Sequence, residues 1–189
     1  MKNAIILHGR PSKKEYYSDK YPSASNSHWL PWLQKRLLIN NIHAVTPEIP
    51  LAFEPLWEVW CKEIERFEIG SQTILVGHST GAGFWVRWLS EHKDINVGNV
   101  ILVAPWIDVE KDSAPEFFNF KIDENLASRT KQLTIFHSKD DVVEIQSSVK
   151  ELRKKLKDLK YREFDNYGHF TTHYMKTHKF PKLLEECLK

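Results

Sequence analysis

The length, composition and charge of this chain exclude several classes of protein. Its 189 residues, 41% hydrophobic and 28% charged, suit one globular core and not a disordered or fibrous chain. A net charge of +2 and two cysteines give no reason to expect nucleic acid, an anionic membrane or a disulfide framework. The first apolar run, residues 4–7, is too short for a signal peptide or a spanning helix. We therefore expect residues 1–189 to form a single cytoplasmic domain.

Short apolar runs alternate with longer amphipathic segments along the chain. Strands are predicted at residues 4–7, 43–46, 73–76, 100–103, 133–137 and 161–164. Apolar spacings of three and four predict helices after Ser27, from Trp57, from the region of Gly81, through Glu151 and from Pro181. This alternation predicts a three-layer α/β/α sandwich with a mostly parallel sheet of about six strands. Because ligands bind beyond the carboxyl ends of such strands, we expect catalytic residues in the loops that follow them.

The first such loop is Gly77-His78-Ser79-Thr80-Gly81, directly after the third predicted strand. A strand–turn–helix that carries G-x-S-x-G presents a serine hydroxyl over the edge of a sheet. The amide of Thr80, at the start of the following helix, would point at a developing oxyanion. With the seven Gly and thirteen Ser of this chain, random placement would produce the pattern only about two times in a hundred. We therefore predict Ser79 as a nucleophile.

Two later loops supply the groups that a serine nucleophile needs. Asp140 and Asp141 follow the fifth predicted strand, and His169 follows the sixth. A histidine can take the serine proton, and a carboxylate orients that histidine and stabilises its cation. Counting from the end of the strand favours Asp141, whereas counting back from Val143 favours Asp140. We take Asp141 as the first choice and keep Asp140 as the alternative.

Five short segments in order resemble one known family. They are His8-Gly9, Trp29-Leu30-Pro31-Trp32-Leu33, Gly77-His78-Ser79, Ser138-x-Asp140-Asp141 and Gly168-His169-Phe170. Together they are similar to the retinoblastoma-binding-protein-9/YdeN family of small serine hydrolases, over residues 5–170. The resemblance implies an α/β-hydrolase fold without extra antiparallel strands, with Ser79, Asp141 and His169 as the triad. It implies no particular natural substrate.

The chain departs from that family in two loops. After His8-Gly9 the loop at residues 10–26 is long and rich in Lys, Tyr and Ser, and the proline that often closes the Asp loop is absent. We expect the second oxyanion donor to be the backbone amide just after Gly9, that of Arg10. We also expect Trp106, at a strand end, and Phe117, in an irregular segment, to form an apolar cap over an acyl pocket. A small satellite cluster that ties down a loop is nearly as good an interpretation of these aromatic residues.

The predicted function is cleavage of an ester-type acyl bond in a small molecule, by Ser79, His169 and Asp141 and without a cofactor. The alternative is a hydrolase-fold protein that acts mainly by binding a protein partner, with weak or vestigial catalysis. A zinc site built from His169, His173 and His178 is a weaker possibility, because no H-E-x-x-H is present and no cysteine lies nearby. The sequence does not choose among ester, thioester and amide leaving groups, or an oligomeric state.

Overall fold

Six parallel strands form one sheet in the computed structural model, which describes residues 2–189. The strands are β1 (Asn3–Leu7), β2 (His43–Val45), β3 (Thr73–His78), β4 (Val97–Val103), β5 (Thr130–Ser138) and β6 (Lys160–Phe164). Their order in the sheet is β2-β1-β3-β4-β5-β6, and every neighbouring pair is parallel. The predicted fold class is confirmed, and the sheet is entirely parallel.

The helices are α1 (Lys13–Tyr16), α2 (Leu30–Ile39), α3 (Trp57–Ile64), α4 (Thr80–Glu91), α5 (Val143–Lys155), α6 (Thr172–Met175) and α7 (Pro181–Cys187). Five of them, α2, α3, α4, α5 and α7, lie where helices were predicted. Helices α1 and α6 were not predicted, because four residues without a buried side chain carry no apolar periodicity. Within residues 2–189, no helix has the length and apolar character needed to cross a bilayer.

The two central strands, β3 and β4, are buried at every residue. Strands covered on both faces by helices read as continuous apolar runs, which is why these two were visible in the sequence. The chain leaves β1 toward β2 and then returns to the other side of β1 to form β3. The strand order thus reverses between β1 and β3, and the crevice at this point is where open α/β sheets bind ligands. The loops that carry Gly9 and Ser79 both begin there.

Candidate active site

Ser79 occupies a sharp turn between β3 and α4. Its backbone has φ 53° and ψ −116°, a conformation that costs free energy in a residue with a side chain. The turn brings backbone so close that a Cβ on Gly77 would lie 2.5 Å from the Ala82 nitrogen, and one on Gly81 would lie 2.5 Å from the His8 carbonyl oxygen. The Ser79 amide donates to the Val103 carbonyl at 2.9 Å, which ties the turn to the end of β4. The turn therefore has the geometry that G-x-S-x-G predicts.

The loop after β1 runs directly beside this turn. A Cβ on Gly9 would lie 3.0 Å from the Ser79 Cβ, so the peptide between Gly9 and Arg10 passes next to the serine. Within residues 2–189, neither the Arg10 amide nor the Thr80 amide donates a hydrogen bond to the protein. Two backbone N–H groups, one in the loop after β1 and one in the turn after β3, thus lie beside Ser79. An oxyanion hole uses donors of this kind.

The orientation of the Gly9–Arg10 peptide is set by a buried imidazole. His8 Nε2 accepts a hydrogen bond from the Ile49 amide at 3.0 Å, so Nδ1 carries the hydrogen and donates it to the Gly9 carbonyl at 2.8 Å. Because that carbonyl and the Arg10 N–H belong to one planar peptide, the same bond sets the direction of the N–H. Burial lowers the pKa of His8, which favours the neutral ring that this pattern needs.

The structure distinguishes the two aspartates that the sequence left open. His169 Nδ1 donates to Asp141, at 3.0 Å to Oδ1 and 3.2 Å to Oδ2. The side chain of Asp141 is fully buried, and its Oδ1 also accepts the Val142 amide at 2.8 Å. Asp141 is therefore the carboxylate that can orient the imidazole.

Asp140 points to the backbone of the histidine loop instead. Its Oδ1 accepts hydrogen bonds from Ser138 Oγ at 2.5 Å and from the Gly168 amide at 3.1 Å. The hydrogen bond from Ser138 lowers the pKa of Asp140, which keeps it an ionised acceptor. Asp140 thus supports the loop that carries His169 without contacting the imidazole through a hydrogen bond.

Gln146, on α5, was not singled out in the sequence and braces the loop of the two aspartates. Its Nε2 lies 3.2 Å from the Ser138 carbonyl oxygen, 3.0 Å from that of Lys139 and 3.3 Å from that of Asp141. His137 donates to the Gln146 Oε1 at 2.6 Å and so orients the amide. No sequence signal pointed to this residue, because three of its four partners are carbonyls of the main chain.

A cavity of about 830 Å³ opens at this edge of the sheet, and Ser79 and His169 both line it. Much of its wall comes from the long loop at residues 10–26, which the sequence showed only as a departure from the family pattern. The lining side chains from this loop and its surroundings are mainly hydroxyl and carboxylate groups: Tyr16, Tyr17, Tyr21, Glu15, Asp19 and Glu48. His28 also lines the cavity.

The two aromatic residues expected to cap the pocket are not among those that line this cavity. Phe117 is only 2% exposed and packs in the core, with its ring centroid 5.3 Å from that of Trp60 and 4.9 Å from that of Phe118. Trp106 is half-buried, and the guanidinium of Arg10 lies 5.1 Å from its ring centroid. Because the apolar area of Phe117 is removed from water by helices α3 and α4, the structure corrects its placement from a cap to the core.

The three histidines considered as zinc ligands do not converge. The His169 Nδ1 is engaged with Asp141, and the His178 Nδ1 donates to the His28 carbonyl at 2.9 Å. Among residues 2–189, no three His, Cys, Asp or Glu side chains are arranged to hold a metal ion.

Known proteins resemble this chain in sequence and in fold. The chain is 29% identical to YdeN of Bacillus subtilis (strain 168) over 166 residues, which covers 84% of this chain and 86% of YdeN. The crystal structure of YdeN superposes with a TM-score of 0.79 at 25% identity, over 98% of this chain and 96% of that one.

More distant structures share the fold alone. Est1E of Butyrivibrio proteoclasticus, solved with ferulic acid bound, has a TM-score of 0.66 at 14% identity, over 100% of this chain and 90% of Est1E. FphF of Staphylococcus aureus, a fluorophosphonate-binding serine hydrolase, has a TM-score of 0.57 at 12% identity, over 100% of this chain and 82% of FphF.

A family model described as serine hydrolase matches residues 20–182. The chain therefore belongs to the serine hydrolase family and has the α/β-hydrolase fold.

Proposed function

We propose that this protein cleaves ester-type acyl bonds in small molecules by a triad of Ser79, His169 and Asp141, through an acyl-enzyme. The single observation that carries the proposal is that His169, which is hydrogen-bonded to the buried Asp141, lines the same cavity as Ser79. A Ser-His-Asp set is recognised by such roles and not by its position in the sequence.

In the first step the Ser79 hydroxyl oxygen attacks the carbonyl carbon of the substrate, and its proton passes to Nε2 of His169. This nitrogen can accept because Nδ1 carries the hydrogen that is donated to Asp141. The tetrahedral intermediate then collapses: the carbon–oxygen bond to the alcohol breaks, and the imidazolium returns the proton to the departing alcohol. Water, deprotonated by the same imidazole, hydrolyses the acyl-Ser79 ester and regenerates the hydroxyl.

The negative charge that forms on the carbonyl oxygen would be stabilised by the amides of Thr80 and Arg10. Both lie beside Ser79, and neither donates elsewhere within the described residues. Loss of one such donor in serine hydrolases costs about 10²- to 10³-fold in kcat. The His8 hydrogen bond to the Gly9 carbonyl would hold the Arg10 donor in place before the substrate arrives.

The cavity supports a polar or aromatic acyl substrate rather than a long alkyl chain. Its volume of about 830 Å³ is within the range of small-molecule sites, and tyrosines and carboxylates line the loop side. Tyrosine rings can pack against an aromatic acyl group while their hydroxyls bind its polar atoms. Because the fold is similar to that of Est1E, which was solved with ferulic acid, esters of hydroxylated aromatic acids are the first substrates to test.

A fluorophosphonate probe tests the proposal, since it labels only an activated serine. We expect labelling of the wild type and none of Ser79→Ala. Ser18→Ala is the matched control, because Ser18 lines the same cavity and its hydroxyl accepts only a local amide bond. Hydrolysis of p-nitrophenyl acetate should fall in parallel with labelling.

The opposite outcome would favour a protein that acts by binding a partner. If the folded wild type takes up no probe, or if Ser79→Ala and His169→Ala hydrolyse the ester as fast as the wild type, the triad mechanism is refuted. A general base of this kind is expected to contribute on the order of 10²-fold or more to the rate.

A further inference from the structure

His78, the residue before the nucleophile, makes a contact that neither the motif nor the mechanism above explains. Its imidazole is only 4% exposed, and its Nε2 lies 2.8 Å from the carbonyl oxygen of His169. The two imidazole rings lie with their centroids 4.9 Å apart. One buried side chain on the nucleophile turn is thus bonded to the backbone of the residue that carries the base, 91 positions later in the chain.

The chemistry of this contact defines the state of the ring. A carbonyl oxygen only accepts, so the hydrogen of His78 lies on Nε2. Burial, together with the neighbouring His169 and His28, holds the pKa of His78 well below its usual range. The ring is therefore a neutral donor, and it adds no positive charge beside the imidazole that must become a cation during catalysis.

The loop that carries His169 needs such support because its backbone is strained. The next residue, Phe170, has φ 54°, in the left-handed region that a bulky side chain rarely adopts. Its carbonyl accepts a hydrogen bond from the buried Trp29 Nε1 at 3.1 Å, and the Trp29 ring packs edge-on against His78 at 5.8 Å. Two neighbouring ring N–H groups thus bind two consecutive carbonyls. The backbone of His169 is thus bonded to His78, beside Ser79. The imidazole of His169 is bonded to Asp141.

We propose that His78 is a positioning residue, which fixes the reach from the Ser79 hydroxyl to the His169 imidazole by bonding the His169 carbonyl to the nucleophile turn. The inference rests on the proposed triad mechanism. A shift of about 1 Å between reacting groups can cost about 10²-fold in rate. His78 also lines the cavity, but in this role it contributes to kcat through the backbone of His169 and moves no proton.

A matched pair of variants separates positioning from packing. In His78→Gln the side-chain amide nitrogen reaches about as far as Nε2 and can donate to the same carbonyl. In His78→Met the side chain is similarly long but has no donor. With p-nitrophenyl acetate, we expect His78→Met to lose about 10²-fold in kcat with KM nearly unchanged, and His78→Gln to recover most of that loss. Thermal unfolding verifies that both variants are folded.

A proton NMR signal gives a readout that simple packing would not change. The His169 Nδ1 proton bonded to Asp141 should resonate far downfield, persist in His78→Gln and broaden or shift in His78→Met. A folded His78→Met with wild-type kcat would overturn the proposal. So would equal losses of kcat in both variants with the downfield signal intact. If His78→Met does not fold, His78→Asn replaces it, because its amide is one methylene too short to reach the carbonyl, and the same criteria apply.

Failure of the proposed function has a different signature. In that case the wild type itself takes up no fluorophosphonate and hydrolyses no ester, which removes the positioning role together with the triad. If only the positioning role is wrong, the wild type is active, Ser79→Ala is inactive and His78→Met behaves as the wild type.

Discussion

Replacement of Asp141 by asparagine removes one negative charge from the buried partner of His169 and changes little else. The amide oxygen can remain at the position of Oδ1, where the Val142 amide holds it at 2.8 Å. An NH₂ group then replaces Oδ2, 3.2 Å from the His169 Nδ1, and opposes the hydrogen on that nitrogen. The variant therefore keeps the shape of the site and loses the attraction between the carboxylate and the imidazolium that forms in the transition state.

The size of this loss can be worked from the geometry. His169 Nδ1 lies 3.0 Å from the Asp141 Oδ1, and the side chain of Asp141 is fully buried. Unit charges about 4 Å apart at an effective dielectric constant of about 20 attract by about 4 kcal/mol. At about 1.4 kcal/mol for each factor of ten, this corresponds to a loss of about 10³-fold in kcat. KM should change little, because the charge pair forms only in the transition state.

Asp140→Asn is the control for this experiment. Both hydrogen bonds of Asp140 go to one oxygen, Oδ1, so an asparagine amide oxygen can replace it and kcat should stay close to the wild-type value. Steady-state hydrolysis of p-nitrophenyl acetate compares the two variants, and circular dichroism verifies their folding. If Asp140→Asn loses activity and Asp141→Asn retains it, Asp141 is not the acid of the triad.

Three further predictions concern stability and specificity. Burial lowers the pKa of His8 and of His78, so both stay neutral in the folded chain while the unfolded chain takes up protons below about pH 6.5. Stability should therefore fall by up to about 1.4 kcal/mol per pH unit per imidazole below that pH; a melting temperature constant from pH 7 to pH 5 would contradict this. Gly77→Ala would place a Cβ 2.5 Å from the Ala82 nitrogen and should cost about 3 kcal/mol or more in urea unfolding; wild-type stability would refute the close approach. Phe117→Ala should lower the free energy of unfolding by about 3 to 5 kcal/mol and leave the preference for acyl-chain length unchanged. An altered preference would show that Phe117 contacts the substrate.

Several features of this protein are local enough to be determined by the sequence alone. The six strands follow from apolar runs between amphipathic segments, and the burial of the central strands β3 and β4 on both faces explains why the runs of these two are continuous. The turn at Ser79 follows from two glycines that flank it where backbone approaches too closely for a Cβ. The predicted bounds of a strand were wrong where glycine or a polar residue lies within it. β4 begins at Val97, three residues before the predicted start, because Gly98 and the buried Asn99 interrupt the apolar pattern.

Other features depend on contacts between distant parts of the chain, and only the tertiary structure decides them. Two consecutive aspartates are equivalent in a sequence pattern, yet the backbone of their loop turns Asp141 toward His169 and Asp140 toward the Gly168 amide. The donor role of His78 depends on a backbone carbonyl 91 residues away. Every residue has a backbone carbonyl, so the amino-acid sequence does not indicate which one His78 contacts. The direction of a side chain in a loop is set by the elements that converge on it, and no local periodicity encodes that convergence.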